Sequence, residues 1–290
     1  MSDEKAPAEA TAEALPSAEL NNREHGGSAS SGQARIRPGI TNSFLEENGV
    51  RSVDGEEAKQ LCGLREPGLW IPYPNCDGYG RLRLKRPQGD RKYHQKAGTS
   101  VHVYIPEAAQ RPVPGVDLVL IEGEAKALAL CEAGIPAIGV SGFYGWRRGE
   151  RLVPELQSFI DRTRPSRVLF AGDSDTALNP QFSDAAVKLA GLVDLPVRLP
   201  RLPIDGPKAW DDLREDLQFD DEKLLERWQE AAEGAVEVDQ DICPGELAVD
   251  LLRHERHLLK AGHHAGLGDR KVRERLVKIG ALAKKAGGMV

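Results

Sequence analysis

Short, continuous apolar runs alternate with stretches of helical periodicity between residues 116 and 217, and this alternation constrains the fold more than any other feature. Four runs indicate buried strands: VDLVLIEGE, IPAIGVSG, SRVLFAGDSD and LPVRLPRLP. The segments after them, AKALALCEAG, RLVPELQSFIDRT, NPQFSDAAVKLAGLV and KAWDDLRED, are typical of helices. Strands that alternate with helices predict right-handed crossovers and a parallel sheet covered by helices on both faces. Ligands of such α/β sheets bind beyond the carboxyl ends of the strands.

Acidic residues follow the predicted strands at that edge of the sheet. Glu122 ends one run, Asp173 and Asp175 end another, and Asp211 and Asp212 come after the fourth. Carboxylates gathered on one rim repel one another unless a cation lies among them, and their hard oxygen atoms suit Mg2+ or Mn2+. Two such ions about 4 Å apart activate an attacking hydroxyl and stabilise the leaving oxygen. The pattern of several acids predicts a metal site for phosphoryl transfer. Taken alone, Asp173 and Asp175 could equally be a polar turn after a strand.

Two neighbours of Glu122 bear on the same chemistry. Gly123 has no side chain, which would let a phosphate or another backbone approach the acid. Lys126 lies four residues after Glu122, on the first turn of the predicted helix and at the same end of the sheet. It would neutralise phosphate charge there, or would be a solvated lysine on the helix surface; the sequence leaves both open.

A basic segment precedes the predicted parallel sheet. Apolar and polar residues alternate from residue 68 to 105, with turn signals at NCDGYG and PQGD, which predicts a small antiparallel sheet. Residues 81–96 carry seven Lys and Arg against one Asp, although the whole chain has a net charge of -6. Basic side chains on a sheet beside a metal site would hold the phosphates on which the metals act, and Arg83 belongs to this set. A solvated basic face is the alternative.

These patterns divide the chain into four predicted parts. Residues 1–36, rich in Ala, Glu, Ser and Gly, are expected to be a disordered tail. The basic subdomain would span 37–112, the α/β domain 113–219 and a helical extension 220–290. The chain shows no apolar run of about 20 residues, no signal-like leader and no C-x-x-C pair among its four cysteines. We expect a reduced, cytoplasmic protein without a membrane partner.

The acidic motifs resemble those of the Toprim domain, which bacterial primases, type IA and type II topoisomerases and several nucleases share. The resemblance rests on Glu-Gly at one strand end, Asp-x-Asp at a later one and a further acid downstream. The resemblance covers about residues 116–217. The sequence of this stretch is most similar to the Toprim-like domains of phage and plasmid replication primases. The implied fold is a Toprim-like parallel sheet, preceded by a small, basic, mainly antiparallel subdomain and followed by a helical extension.

The upstream segment is similar to the basic subdomain that precedes Toprim in bacterial primases. In that subdomain a Gly-Arg hairpin and a Lys-Tyr motif line the groove for template and nucleotide, and Gly80-Arg81 and Lys92-Tyr93 match them by position. The resemblance therefore implies joining of nucleotides on single-stranded DNA with Mg2+ or Mn2+. The implied partners are single-stranded DNA, nucleoside triphosphates and a replicative helicase of a phage or plasmid.

The same resemblance implies a role for each residue. Glu122 would be the general acid/base or the carboxylate that organises the metals, Asp173 and Asp175 would hold metal, and Asp211 would complete the site. By position, the resemblance assigns contacts to template or nucleotide to Arg81, Lys92 and Tyr93. Charge and position alone add Arg83 and Lys126 to the predicted nucleic-acid or nucleotide contacts.

The chain also departs from the bacterial primases. It has no Cys/His set for the zinc-binding domain with which they usually begin, and it shows no fused helicase. A Toprim nuclease, with water as nucleophile, and a non-catalytic DNA-binding replication accessory therefore stay open as alternatives. A haloacid-dehalogenase phosphatase also uses Asp-x-Asp, but its motif requires Thr or Val where this chain has Ala177.

Overall fold

A computed structural model describes residues 36–89, 91–110, 115–204 and 206–264, together with Val277. Apart from Ile36, the predicted tail lies outside the described residues, as does most of the chain beyond 264. The described part is a mixed α/β structure built on one antiparallel and one largely parallel sheet. Within it, no helix is both long enough and apolar enough to span a membrane.

The elements alternate along the chain much as the sequence predicts for its central part. The helices are α1 (Asn42–Glu47), α2 (Gly55–Cys62), α3 (Glu124–Glu132), α4 (Pro154–Thr163), α5 (Pro180–Ala190), α6 (Trp210–Asp216), α7 (Asp221–Glu233) and α8 (Pro244–His264). The strands are β1 (Arg51–Val53), β2 (Gly68–Pro72), β3 (Gly80–Gln88), β4 (Arg91–His94), β5 (Leu118–Glu122), β6 (Ala137–Val140), β7 (Arg147–Arg148), β8 (Arg151–Leu152), β9 (Val168–Ala171), β10 (Val197–Leu199) and β11 (Val236–Val238).

The antiparallel sheet has the strand order β1-β2-β3-β4, which confirms the predicted antiparallel sheet in the N-terminal half. In β3 the alternation sorts side chains by face, because successive residues of a strand point to opposite sides. Leu82 and Leu84 are buried against α2 and Trp70, whereas Arg81 and Arg83 lie on the other face. On that other face Leu69 and Ile71 of β2, paired with Arg83 and Arg81, are buried in the main core, so the arginines lie beside a second packed surface.

The larger sheet has the order β11-β10-β9-β5-β6, and its four strands from β10 to β6 are parallel. The chain runs from β5 to β6, which is one neighbour of β5 in the sheet. It then crosses back over β5 to β9, which is the other neighbour. Right-handed crossovers in opposite directions put α3 on one face and α4 and α5 on the other. The crevice of a doubly wound sheet opens where this direction reverses, which is here between the ends of β5 and β9.

Burial explains why these strands form without alternation. Every side chain of β6 and β9, and all of β5 except Glu122, is buried. Strands covered on both faces need apolar residues at consecutive positions, and the runs LVLI, AIGV and VLFA supply them. The one partly exposed residue of β5 is the acid at its carboxyl end.

Two expectations about secondary structure were wrong, and one strand was not predicted. Residues 101–105 were expected to be a strand of the antiparallel sheet, but Tyr104 instead forms an isolated antiparallel bridge with Gly139 at the edge of β6. Strand β1 was not predicted, and β11 interrupts a stretch expected to be helical. Both strands have three residues, too few for a period of two to stand out, and both gain their hydrogen bonds from a neighbouring strand.

Candidate active site at the junction of the two sheets

A cavity of about 610 Å³ lies between the basic face of the antiparallel sheet and the crevice of the parallel sheet. It gathers eight of the nine predicted site residues: Arg81, Arg83, Lys92, Tyr93, Glu122, Lys126, Asp173 and Asp211. Seven basic side chains and five carboxylates line it within the described part of the chain. The cavity therefore has an acidic wall and a basic wall, with a small excess of positive charge.

Asp175 is the predicted site residue that the cavity does not include. Its side chain is exposed on the short 3-10 turn Ser174–Leu178 after β9. It still lies near enough to raise the pKa of Glu122 through charge repulsion. Its place is thus at the outer edge of the site rather than on the cavity wall.

Asp173 is held by lysines. Its carboxylate forms an ion pair with Lys126, whose side chain is mostly buried on the first turn of α3. The Nζ atom of the exposed Lys208 lies 4.0 Å from the other carboxylate oxygen. Burial lowers the pKa of Lys126, but Asp173 and Glu122 outweigh it and raise the pKa, so the ammonium stays charged. Lys126 is therefore not a solvated lysine on the helix surface, and its expected contact with phosphate stays a prediction.

Asp211 is paired with an arginine from a distant part of the chain. Its side chain is 1% exposed at the start of α6, and its Oδ2 atom lies 2.8 Å from Nη2 of Arg37. Its Oδ1 atom is buried without a hydrogen-bond partner among the described residues. Burial raises the pKa of Asp211, while Arg37 and Lys126 act in the opposite direction. A buried carboxylate with one unsatisfied oxygen is costly, and a bound cation would relieve that cost.

Glu122 and Asp212 line the cavity without an ion pair or a side-chain hydrogen bond among the described residues. Burial raises the pKa of Glu122, Lys126 lowers it, and the neighbouring Asp173 and Asp175 raise it further. A carboxyl group with a raised pKa accepts or donates a proton more readily near neutral pH than an ordinary glutamate. This environment suits a general acid/base.

Gly123 lines the cavity, and its backbone conformation requires glycine. No other backbone approaches the position that its Cβ would take, and the expected approach of a phosphate stays a prediction. The φ of 99° and ψ of 144° of Gly123 lie in a region open almost only to glycine. A Cβ atom there would meet nothing within 4 Å. The close approach occurs instead at Gly139, where a Cβ would lie 3.1 Å from the carbonyl oxygen of Gly123. The two glycines let the turn after β5 pack against β6 while Glu122 faces the cavity.

A buried arginine supports the turn that carries Asp173. Arg201 donates a hydrogen bond of 3.0 Å to the carbonyl oxygen of Ser174 and another to the hydroxyl of Thr176. Thr176 in turn donates to the carbonyl oxygen of Asp173 at 2.6 Å. The amide of Ser174 donates to the carbonyl oxygen of Lys208 at 2.7 Å, which ties the turn to the segment before α6. These bonds bring Asp173 and Asp211 to the same cavity.

The basic wall is joined to the acidic wall through Glu124, the first residue of α3. Its carboxylate is 1% exposed and accepts hydrogen bonds from Arg81 at 2.6 Å and from the Tyr73 hydroxyl at 2.7 Å. Arg81 also donates to the hydroxyl of Ser141 and lies 4.7 Å from the ring centroid of Tyr93. Arg81 therefore forms a bridge between the sheets, and is less free to bind a ligand than the sequence predicted.

Among the charged residues that line the cavity, Arg37, Glu124 and Lys208 were not predicted, and Arg91 was included only as part of the basic segment 81–96. Glu124 stands next to the Glu-Gly pair, so a third acid in IEGE was the available signal. Arg37 lies 174 positions from its partner, and no local pattern indicates that pairing.

The donors suit a hard divalent cation, but no ready-made cluster holds one. Glu122, Asp173 and Asp211 offer oxygen ligands in one cavity, and Asp211 keeps an unsatisfied buried oxygen. No group of three or more His, Cys, Asp or Glu side chains in the described residues is close enough to bind a metal as they stand. Lys126 and Arg37 occupy carboxylate oxygens that a metal would need.

Comparison with known proteins finds a family match within the α/β part of the chain. Residues 111–196 match the model of a family described as a domain of unknown function, DUF3854. That stretch contains Glu122, Lys126 and Asp173, but not the basic wall or Asp211. Neither the curated proteins nor the solved structures gave a match.

Proposed function

We propose that this chain is a Toprim-type, primase-like nucleotidyltransferase that joins nucleotides on single-stranded DNA during replication of a phage or plasmid. The observation that carries the proposal is the shared cavity. The carboxylates proposed to bind metal belong to the α/β part of the chain, most residues proposed to bind phosphates belong to the antiparallel sheet, and both groups line the same cavity of about 610 Å³. A polymerising site needs both, because the metals act on phosphates that a basic surface has to hold.

The acidic wall would supply the chemistry of transfer. Glu122, Asp173 and Asp211 would hold Mg2+ or Mn2+, with Asp175 joining from the outer edge, and the bound metal would lower the pKa of the attacking hydroxyl. Where Glu122 does not ligate the metal, its carboxylate, whose pKa is raised by burial, would take up the proton released there. Lys126 would hold a phosphate oxygen once its pair with Asp173 opens.

The basic wall would hold the polyanion. Arg83, Arg91 and Lys92 line the cavity and make no ion pair within the described ranges, apart from a contact of Arg91 with His94. Tyr93 would offer an aromatic face to a base, with Arg81 behind it. The four cysteines are free thiols, which accords with the proposed reducing, cytoplasmic location. A replicative helicase is the proposed protein partner.

A non-catalytic DNA-binding accessory is the second candidate. The observation in its favour is that Asp173 and Asp211 are paired with protein cations and that the cavity has more basic than acidic side chains. Such a site would bind phosphates without metal. A Toprim nuclease would use the same residues with water as the nucleophile.

One assay separates the three functions. The chain is incubated with a single-stranded oligonucleotide, labelled nucleoside triphosphates and Mg2+ or Mn2+, beside the variant Asp173→Ala. Asp161→Ala, an exposed carboxylate on α4, serves as the control. Metal-dependent products longer than a dinucleotide, absent only in Asp173→Ala, support the proposal. A shortened template without extension supports the nuclease, and DNA binding without products supports the accessory.

A further inference from the structure

A short segment just before α1 is tied to the acidic side of the site. We call residues 36–41 the N-terminal strap. The carbonyl oxygen of Gly39 accepts a hydrogen bond of 3.0 Å from Nη1 of Arg214. Gly39 has a φ of 69°, and a Cβ there would lie 2.1 Å from the carbonyl oxygen of Asp211. The strap therefore packs directly on the first turn of α6.

A second anchor holds the end of the strap to α3. The amide of Thr41 donates to Oε2 of Glu132 at 3.1 Å, and its hydroxyl donates to Oε1 at 2.5 Å. Arg214 also pairs with Glu132 at 2.5 Å. Because both anchors lie on buried or half-buried groups, the strap is a fixed part of the cavity wall.

The strap places Arg37 on Asp211, and Lys126 sits on Asp173 in the same way. Two of the carboxylates proposed to bind metal are thus each neutralised by a protein cation. A divalent ion placed among them would stand close to both positive charges. Like charges a few ångströms apart in a partly buried site repel by several kcal/mol at an effective dielectric constant of about 20.

We infer that Arg37 is a functional residue of this site and that it competes, together with Lys126, with the divalent cation for the carboxylates. The inference rests on the proposed function. Arg37 stabilises the metal-free site by pairing with Asp211, and it sets the metal affinity because it has to leave that carboxylate when the ion binds.

The inference predicts the effect of removing each cation. Without Arg37, Asp211 keeps a buried negative charge that a divalent ion can neutralise in its place. Without Lys126, Asp173 likewise keeps a negative charge that a divalent ion can neutralise. Both changes should tighten metal binding, whereas loss of a ligand would weaken it. Arg37→Lys keeps the charge and should stay close to the wild type.

The test is Mn2+ binding to the full chain without DNA or nucleotide, followed by electron paramagnetic resonance of the free ion. We expect Arg37→Met and Lys126→Met to bind Mn2+ at least about tenfold more tightly than the wild type. The control Arg227→Met removes an exposed arginine of α7 that pairs with Glu230, and it should change affinity less than about twofold. Equal or weaker binding by Arg37→Met would overturn the inference.

The outcomes also separate this inference from the function on which it rests. If the wild type binds Mn2+ and Arg37→Met binds it no better, the inference fails and the proposed metal chemistry stands. If no protein of the set binds Mn2+ at millimolar concentration, both fail. Thermal melting in EDTA identifies a variant that does not fold, and Lys126→Met then carries the test.

Discussion

Glu124 should be the most important buried charge for holding the two sheets together. Its replacement by alanine leaves the guanidinium of Arg81, 16% exposed, and the buried hydroxyl of Tyr73 without their shared acceptor. Breaking a buried, hydrogen-bonded pair by removing one partner costs about 3–5 kcal/mol. We expect Glu124→Ala to lose an amount in that range from the free energy of unfolding. Glu124→Gln keeps an acceptor but not the charge and should lose about 1.5–3 kcal/mol.

The measurement is urea unfolding at pH 7, followed by tryptophan fluorescence. Glu237→Ala is the matched control, because Glu237 pairs with Arg198 at 2.8 Å but is 62% exposed. A surface pair of that kind contributes at most about 1 kcal/mol. If Glu124→Ala costs no more than Glu237→Ala, the buried network does not join the sheets and the reasoning is wrong.

Two further changes test the acidic wall and the strap. Because burial and neighbouring acids raise the pKa of Glu122, its ionisation lowers stability as pH rises through the folded pKa. The free energy of unfolding of Glu122→Gln should therefore exceed that of the wild type at pH 8 without metal. The difference should vanish below about pH 4.3, where the glutamate is protonated in both the folded and the unfolded state. Equal melting temperatures of the two proteins at pH 8 would contradict this prediction. Gly39→Ala adds a Cβ against the carbonyl oxygen of Asp211 and should cost about 2–4 kcal/mol, whereas Gly63→Ala, at a φ of 80° with open space, should cost about 1 kcal/mol. Equal losses in a chemical denaturation experiment would show that the strap does not pack as described.

The parallel strands were predictable because burial on both faces leaves a signal in consecutive residues. The runs at β5, β6 and β9 are apolar throughout, and turn residues bound them. The prediction of a strand at residues 101–105 was wrong because the pattern there has a different cause. Val103, Tyr104 and Ile105 are all buried, so the apparent alternation there did not report the faces of a strand.

The acidic wall was predictable because its residues follow strand ends, which topology brings to one edge. Glu122 and Asp173 follow neighbouring parallel strands, β5 and β9. The pairing of these acids was not predictable. Arg37 reaches Asp211 across most of the chain, and Glu124 bonds to two residues of another sheet. Such contacts depend on how the two sheets pack against each other, which local sequence patterns do not predict.

The site also extends beyond the stretch that matches a known family. That match ends before Asp211 and begins after the arginines of β3 and β4. Residues outside the matched stretch therefore complete the lining of the cavity.

The most direct test of the central claim is the initial rate of nucleotide incorporation with Mg2+, compared between the wild type and Asp173→Asn. DNA is kept at a concentration that saturates both proteins, and DNA affinity is measured separately by fluorescence anisotropy. We predict metal-dependent incorporation by the wild type, a loss of at least about 100-fold in Asp173→Asn, and DNA affinity unchanged within about twofold. Incorporation that survives the substitution, or a wild type that binds DNA without incorporating nucleotides, would contradict the account.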